Sequence, residues 1–500
     1  MTHPYSRCFH SFGSLTLLLA VVGFSVESNA AEEPVFRAGA AASNITPAIG
    51  LPIIGGFHPA PSQHVHDELQ ARTMVLDDGR TRVAIVICDL LGIGRDVCEA
   101  AVTRIAAECG VPASNVLIAG THTHSASSTL GEDRISWQRP ALDEYQQFVV
   151  SRIVDGVRRS VNQLEPAEIA WASVDEPRHV FNRRWYLKPG TMPTNPFGRN
   201  DDQVKMNPGR GNPNLVKPAG PVDPQIWTVC VRSRESKRPI ALLSNYSLHY
   251  VGGVGPGHIS ADYFGMFADR VVQLLDAERQ DPPMVAMMSN GTSGDINNVN
   301  VAGPGEKHAP YEKMRIVAAD TARVAVASLE KAEWRTSATL GAARRNPLVG
   351  SREITTEMLD AARRLLSEPA DPAKPATLDR IYAERVTRLA NWPKQVPVPL
   401  QVLQIGDLAI GTMPCEVFAE IGLELKQKSP SPAYFTIELA HGYYGYLPTP
   451  EQHRLGGYET WPGTNRLEPQ ASRQLTDELL KMLEETRGAA NLKSAAPQSK

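Results

Sequence analysis

Beyond its first thirty residues this 500-residue sequence has no apolar run long enough to cross a bilayer, which needs about 20 residues. Aromatic residues make up only 6% of the chain, and the formal charge is −3, with no basic tract. There is therefore neither an electrostatic footprint nor a stacking platform for nucleic acid, and no nucleic-acid partner is expected. Six cysteines in 500 residues are too few for a disulfide-dependent scaffold. No segment repeats itself, which excludes solenoids and propellers. What is present is 42% hydrophobic and 21% charged residues, ample for one large buried core.

Residues 1–30 read as an export signal. Arg7 precedes the apolar run Leu15 to Val22, and Ser28-Asn29-Ala30 offers small residues for cleavage before Ala31. A retained anchor is the alternative, but the run is shorter than a membrane span. The mature chain is expected to be secreted or periplasmic, without an integral membrane segment. Loss of Cys8 leaves Cys88, Cys98, Cys109, Cys230 and Cys415, an odd set in which at least one thiol has no partner within the chain.

Arg82 to Cys88 and Asn115 to Gly120 have the pattern of buried strands, separated by a helix over Arg95 to Cys109. Helical spacing returns over Leu142 to Gln163, with Phe148, Val149, Ile153 and Val157 on one side. From 187 to 224 prolines and glycines cluster and periodicity vanishes, so an irregular excursion is expected, of the kind that walls a site. Strands resume at Ile226 to Val231, Pro239 to Ser244 and Met284 to Met288. Helices are expected at 261–277, 311–331, 355–365 and 379–389, then a hairpin over Val398 to Ile410. This alternation predicts an α/β fold, a single large catalytic domain over 31–486 with mixed sheets and flanking helices, and a polar tail over 487–500.

Polar groups gather at the ends of the apolar runs. His122 and His124 flank Thr123 after the second strand; in an extended segment both imidazoles would face one cleft. A His-x-His pair suits a metal but is equally a polar strand cap. His249, Asp295 and Glu416 hold similar positions, and Glu416 also fits the N-terminal end of a helix, which favours an acidic residue.

Gly120-Thr121-His122-Thr123-His124-Ser125, Asn182-Arg183, Asn245 to His249, Ile259 to Asp262, Gly294-Asp295-Ile296, Pro414-Cys415-Glu416, and Gly445-Tyr446 with Tyr458-Glu459 occur in that order. Together, from about Arg37 to Asn465, they resemble the catalytic domain of the neutral/alkaline, non-lysosomal ceramidase family. The resemblance implies a Zn2+ site (zinc) built from His122, His249, Glu416 and a tyrosine, here Tyr458 with Tyr446 as the alternative. It places His124 and Arg183 beside the metal. With such a set, zinc would activate water and polarise the scissile carbonyl. His124 would act as general acid/base, Arg183 would stabilise the oxyanion, and Tyr458 would ligate the metal or donate to the developing charge.

The sequence departs from the family's pattern in two motifs. Ala126-Ser127-Ser128-Thr129 stands where the family has a glycine-rich run, and Asn297 stands where it has a serine. Asparagine cannot act as a hydroxyl nucleophile, so water is the expected attacking group; Thr292 and Ser293 are nearby hydroxyls. Family members with established ceramide-hydrolysing activity also carry a C-terminal β-sandwich-like domain. Here the residues after Asn465 read as a closing helix, Arg473 to Leu483, and a tail. The expected reaction is zinc-dependent cleavage of the amide of ceramide or a related N-acyl lipid, met at a membrane surface. The alternatives are another amide or ester handled by the same zinc chemistry, and a non-catalytic exported binding protein.

Overall fold

Val83 to Cys88 have no polar face, and such runs form strands covered on both sides; all six are buried. The computed structural model describes residues 35–131, 135–138, 140–371 and 373–495. The expected export signal lies outside these residues. The main sheet contains β1 (Arg37–Asn44), β2 (Gln70–Asp77), β3 (Arg82–Cys88), β4 (Val116–Gly120), β5 (Glu165–Asp175), β6 (Gln225–Ser233), β7 (Pro239–Tyr246) and β8 (Val285–Asn290). In space they run β8-β7-β6-β5-β1-β2-β3-β4. The interior pairs are antiparallel, while β7 with β8 and β3 with β4 are parallel.

A smaller sheet of β9 (Leu340–Arg345), β10 (Leu400–Ile405), β11 (Leu408–Thr412) and β12 (Ala433–Ile437) lies face to face with the first. One apolar layer, including Ile85, Leu117, Val229, Leu403, Ile410 and Phe435, fills the space between them. Helices α1 (Arg95–Cys109), α2 (Glu144–Asn162), α3 (Asp262–Leu274) and α4 (Glu312–Ser328) cover the outer face of the main sheet. Between α4 and the second sheet's closing strands come α5 (Thr356–Ser367) and α6 (Leu378–Leu389), packed on each other. Helices α7 (Ala419–Lys428) and α8 (Ala471–Ala495) cover the smaller sheet. The expected α/β class with mixed sheets and flanking helices is what the chain adopts.

Local chemistry explains the helix limits. Val97, Cys98, Ala101, Val102 and Ile105 form a buried stripe on α1, and Gly110 ends it at φ 66, a left-handed conformation that glycine takes without strain. At α2, Asp143 and Gln146 form a reciprocal capping box. The closing helix extends past the expected Arg473-to-Leu483 segment and continues through residues 487–495 of the expected tail. The excursion over 187–224 also carries more order than its composition suggests. Arg184–Leu187 is the middle strand of a three-stranded sheet with Val204–Met206 and Leu215–Pro218. All five cysteines from Cys88 to Cys415 are buried free thiols. No helix among the described residues is long and apolar enough to cross a membrane.

Three units, β3-α1-β4, β7-α3-β8 and β11-α7-β12, each join parallel strands through a helix. Their six strand ends converge. The loop after β12 is stitched to the main sheet by bonds from Gly120 N to Leu439 O (3.3 Å), His441 N to Ile118 O (2.9 Å) and Glu438 N to Asn290 O (3.2 Å).

Helix α2 can approach β1 only because position 39 is glycine: a Cβ there would lie 2.2 Å from the backbone oxygen of Ser160. Gly39→Ala should destabilise the protein by about 1–3 kcal/mol through overpacking. Urea unfolding should show a lower midpoint; an unchanged midpoint would mean that the helix yields freely.

Candidate metal centre

Side chains at the ends of parallel strands face the crevice beyond their C-termini, where α/β folds place ligands. His122 and His124 follow β4, His249 follows β7, and Glu416 follows β11. Glu416 does not open a helix as its position suggested; it lies in the two-residue strand Glu416–Val417, paired with Tyr446–Leu447, ahead of α7. The convergence of the two histidines also has a different cause from the one expected. The chain is not extended at His122, which sits at φ 70, an uncommon conformation for a histidine. The turn brings His124 Nε2 to 3.1 Å from His122 Nε2.

His122 Nε2 also lies 3.1 Å from His249 Nε2. The ligand nitrogens of His122, His124 and His249 are all within 4.8 Å of one another. Glu416 Oε2 is 3.3 Å from His122 Nε2 and 3.5 Å from His249 Nε2. The far side of each ring fixes its tautomer. His122 Nδ1 faces the Leu91 carbonyl at 2.6 Å, and His249 Nδ1 faces the Ser293 carbonyl at 3.1 Å. Both Nδ1 atoms therefore carry protons and donate, leaving lone pairs on the Nε2 atoms that face each other. Glu416 Oε2 is buried without a hydrogen bond beside them. Lone pairs and a carboxylate oxygen at these separations repel unless a cation stands among them, so the residues fit a metal such as zinc.

The surroundings favour that state. Burial pushes the Glu416 carboxyl up, but a positive charge at the histidine cluster, supplied by a proton on His122 where the metal would otherwise stand, outweighs it together with the hydroxyls of Tyr443 and Tyr446 and holds the group at about 2. Tyr443 donates to Glu416 Oε1 at 2.6 Å. Burial, reinforced by the same positive charge, holds His124 and His249 well below the usual imidazole range, so both rings are neutral. His124 stacks on Tyr250 with ring centroids 3.8 Å apart.

Arg183 donates from Nε to Glu459 Oε1 at 2.9 Å, and its guanidinium lies 5.2 Å above the Tyr446 ring. Its Nη2 is buried without a partner. The two candidate tyrosines differ in what they touch. Tyr446 lies parallel to His249 and supports the charges of both Glu416 and Arg183. Tyr458 stands one ring further out, 5.7 Å from Tyr446, and its hydroxyl supports Arg385. Both line a cavity of about 840 Å³ together with the three histidines, Arg183 and Glu416. Met206, Asn207 and Arg210 from the 187–224 excursion form part of its wall.

Asp295 is not in this cavity. Its Oδ1 accepts from Ala419 N (2.9 Å) and its Oδ2 from Asn182 Nδ2 (2.7 Å), so it clamps α7 to the short strand Phe181–Asn182 that leads into Arg183. Ser293 donates to Glu438 Oε1 at 2.7 Å, and neither Ser293 nor Thr292 lines the cavity. Asn297 does line it, and donates to Asn207 Oδ1 at 2.5 Å.

Sequence reasoning missed Tyr443, Tyr250 and Glu438. The Gly442-to-Tyr446 run offered a signal for Tyr443, whereas Glu438 left none. Burial keeps the Glu438 carboxyl well above its ordinary range, and it accepts from Val417 N at 2.6 Å as well as from Ser293. It thereby ties the loop carrying the His249-bound carbonyl to the strand of Glu416.

The description "Neutral/alkaline non-lysosomal ceramidase, N-terminal" matches residues 36–313, more than half of the chain, and the chain belongs to that family. Among solved structures, neutral ceramidase from Pseudomonas aeruginosa is similar at 18% identity and a TM-score of 0.66, over 91% of this chain and 75% of that one. A ceramidase complexed with C2 is similar at 17% identity and a TM-score of 0.65, over 90% of this chain and 75% of that one. These two likenesses concern the fold. No curated protein sequence matches the chain. Family membership together with the three-histidine cluster supports a metal-dependent hydrolase.

The Glu438 tie can be tested. Glu438→Ala should weaken metal affinity about 10–100-fold, the usual effect of losing support behind a metal ligand. Glu438→Gln, neutral and of the same shape, should largely retain it. Chelator competition measures both; equal affinities for wild type and Glu438→Ala would remove Glu438 from the account.

Proposed function

We propose that this family member is a zinc-dependent hydrolase that cleaves the amide bond of ceramide or a related N-acyl lipid with water. The observation that carries the reading is the meeting of two imidazole lone pairs at 3.1 Å beside the unpartnered Glu416 Oε2. His122, His249 and Glu416 are assigned as the residues that hold the metal. The tyrosine nearest to it is assigned as Tyr446 rather than Tyr458, because Tyr446 supports the Glu416 charge while Tyr458 engages Arg385. Zinc, when bound, supplies a Lewis acid and lowers the pKa of water.

The protein's own groups supply the rest. His124 is neutral, so it can take a proton from the attacking water and return it to the departing amine nitrogen. Its stacking on Tyr250 holds the ring in one plane. Arg183 has an unused N–H bond on Nη2 beside the cavity, suited to the oxygen that becomes negative as the carbonyl is attacked. Glu459, bonded to both Arg183 and Arg184, fixes the guanidinium so that little reorganisation is needed. Asn297 offers no nucleophile, consistent with direct attack by water. Export to a secreted or periplasmic location, with the substrate met at a membrane surface, completes the proposal.

Purified full-length protein should contain one zinc per chain and hydrolyse an N-acyl amide. His122→Ala should lose both properties. His124→Ala should keep its zinc and lose about 10²–10⁴-fold in kcat, the usual contribution of a positioned acid/base. Zinc retained in His122→Ala would overturn the ligand assignment. Full activity in His124→Ala would remove it as the proton carrier.

A further inference from the structure

One cation in the cavity wall stands apart in what balances its charge. Among the described residues the cavity lining includes Arg183, Arg210, Arg385, Arg388 and Arg466, with the carboxylates of Glu384 and Glu416. Glu416 is turned to the histidines. Arg183 is matched by Glu459, and Arg388 lies 3.8 Å from Glu384.

Arg385 differs from these. It projects from α6, and its hydrogen-bond partners are neutral: Nη1 donates to Thr464 Oγ1 at 3.2 Å, and it supports the Tyr458 hydroxyl. The guanidinium lies 4.8 Å from the Tyr382 ring centroid and 5.4 Å from that of Phe57. Among the described residues no carboxylate lies within ion-pairing distance of it. A largely buried cation without a counter-ion is costly, and the cost is relieved when a bound group supplies the negative charge. The planar fork of guanidinium suits an oxyanion, and the two aromatic faces hold it in position. Through Tyr458 and Tyr446, each ring next to the other, Arg385 adjoins the metal-centre wall and lies in the same cavity.

We infer that the substrate is an N-acyl compound bearing an anionic group, a carboxylate or a sulfo group, which Arg385 binds while the amide lies at the histidines. This deepens the hydrolase reading and rests on it. It selects a charged relative of ceramide, because ceramide itself carries no anion.

The test uses sulfonamides, which mimic amides without being cleaved. Binding of N-decanesulfonylglycine, N-decanesulfonyltaurine and uncharged N-decanesulfonylethanolamine to the zinc-loaded full chain is measured by titration calorimetry. At least one anionic ligand should bind about 10-fold to 100-fold more tightly than the uncharged one, as expected for charge-assisted bonds. The stronger of the two identifies the anion. Arg385→Gln should abolish the preference and leave the uncharged ligand unaffected. If Arg385→Gln does not fold, Arg385→Lys should show a reduced preference, because it keeps the charge and loses the fork. Equal binding of charged and uncharged ligands by wild type would overturn the inference. So would an Arg385→Gln chain that folds and weakens all three ligands equally, or an Arg385→Lys chain with its preference undiminished. Turnover of the matching N-decanoyl amides is read separately. An anion preference without cleavage of any amide would sink the hydrolase reading and leave the anion site standing.

Discussion

Two imidazoles whose outer nitrogens are both committed to backbone carbonyls must point bare lone pairs at each other, and this chain arranges that at 3.1 Å. A buried carboxylate oxygen without a donor stands beside them. Such a cluster is electrostatically unfavourable by itself and favourable around a cation. The neighbouring groups reinforce this state. Tyr443 donates to the other carboxylate oxygen, the Leu91 and Ser293 carbonyls fix the tautomers, and Glu438 ties down the loop that carries one of those carbonyls.

The architecture explains how distant pieces of sequence reach one point. Each of the three parallel strand pairs ends in a loop at the same crevice. The end of β3 gives the Leu91 carbonyl, β4 gives His122 and His124, and β7 gives His249. Strand β8 gives Ser293, β11 gives Glu416, and β12 gives Glu438. Two sheets packed face to face bring the last pair against the first four, and Glu438 N bonding to Asn290 O joins the sheets at that end. Asp295 extends the frame by clamping α7 to the Phe181–Asn182 strand, and Arg183, the next residue, lies over Tyr446.

Much of this was legible in the sequence because its signals are local. Val83 to Cys88 and Val116 to Gly120 announce strands covered on both faces, and the histidine, aspartate and glutamate residues follow such runs directly. Strand β1 is built from alanine, glycine, serine and asparagine, whose strand preference is weak; its pairing with β2 and β5 comes from distant partners. The order in the 187–224 excursion likewise depends on cross-strand pairing that composition conceals. Backbone carbonyls carry no residue-type signal, so the Leu91 and Ser293 contacts lay beyond sequence reading. The left-handed turn at His122 could not be read either: the pair was expected to converge through strand alternation, and it converges through a bend. Tyr446 and Tyr458 share one motif, and only their contacts separate them.

Zinc K-edge X-ray absorption on the purified, unmutated chain reads the ligand set of the metal itself. The expected result is bound zinc with two imidazoles and a carboxylate among its ligands, with Zn–N distances of about 2.0–2.1 Å. A zinc shell without imidazole, or three imidazoles with no carboxylate, would contradict it, as would a chain that binds no zinc.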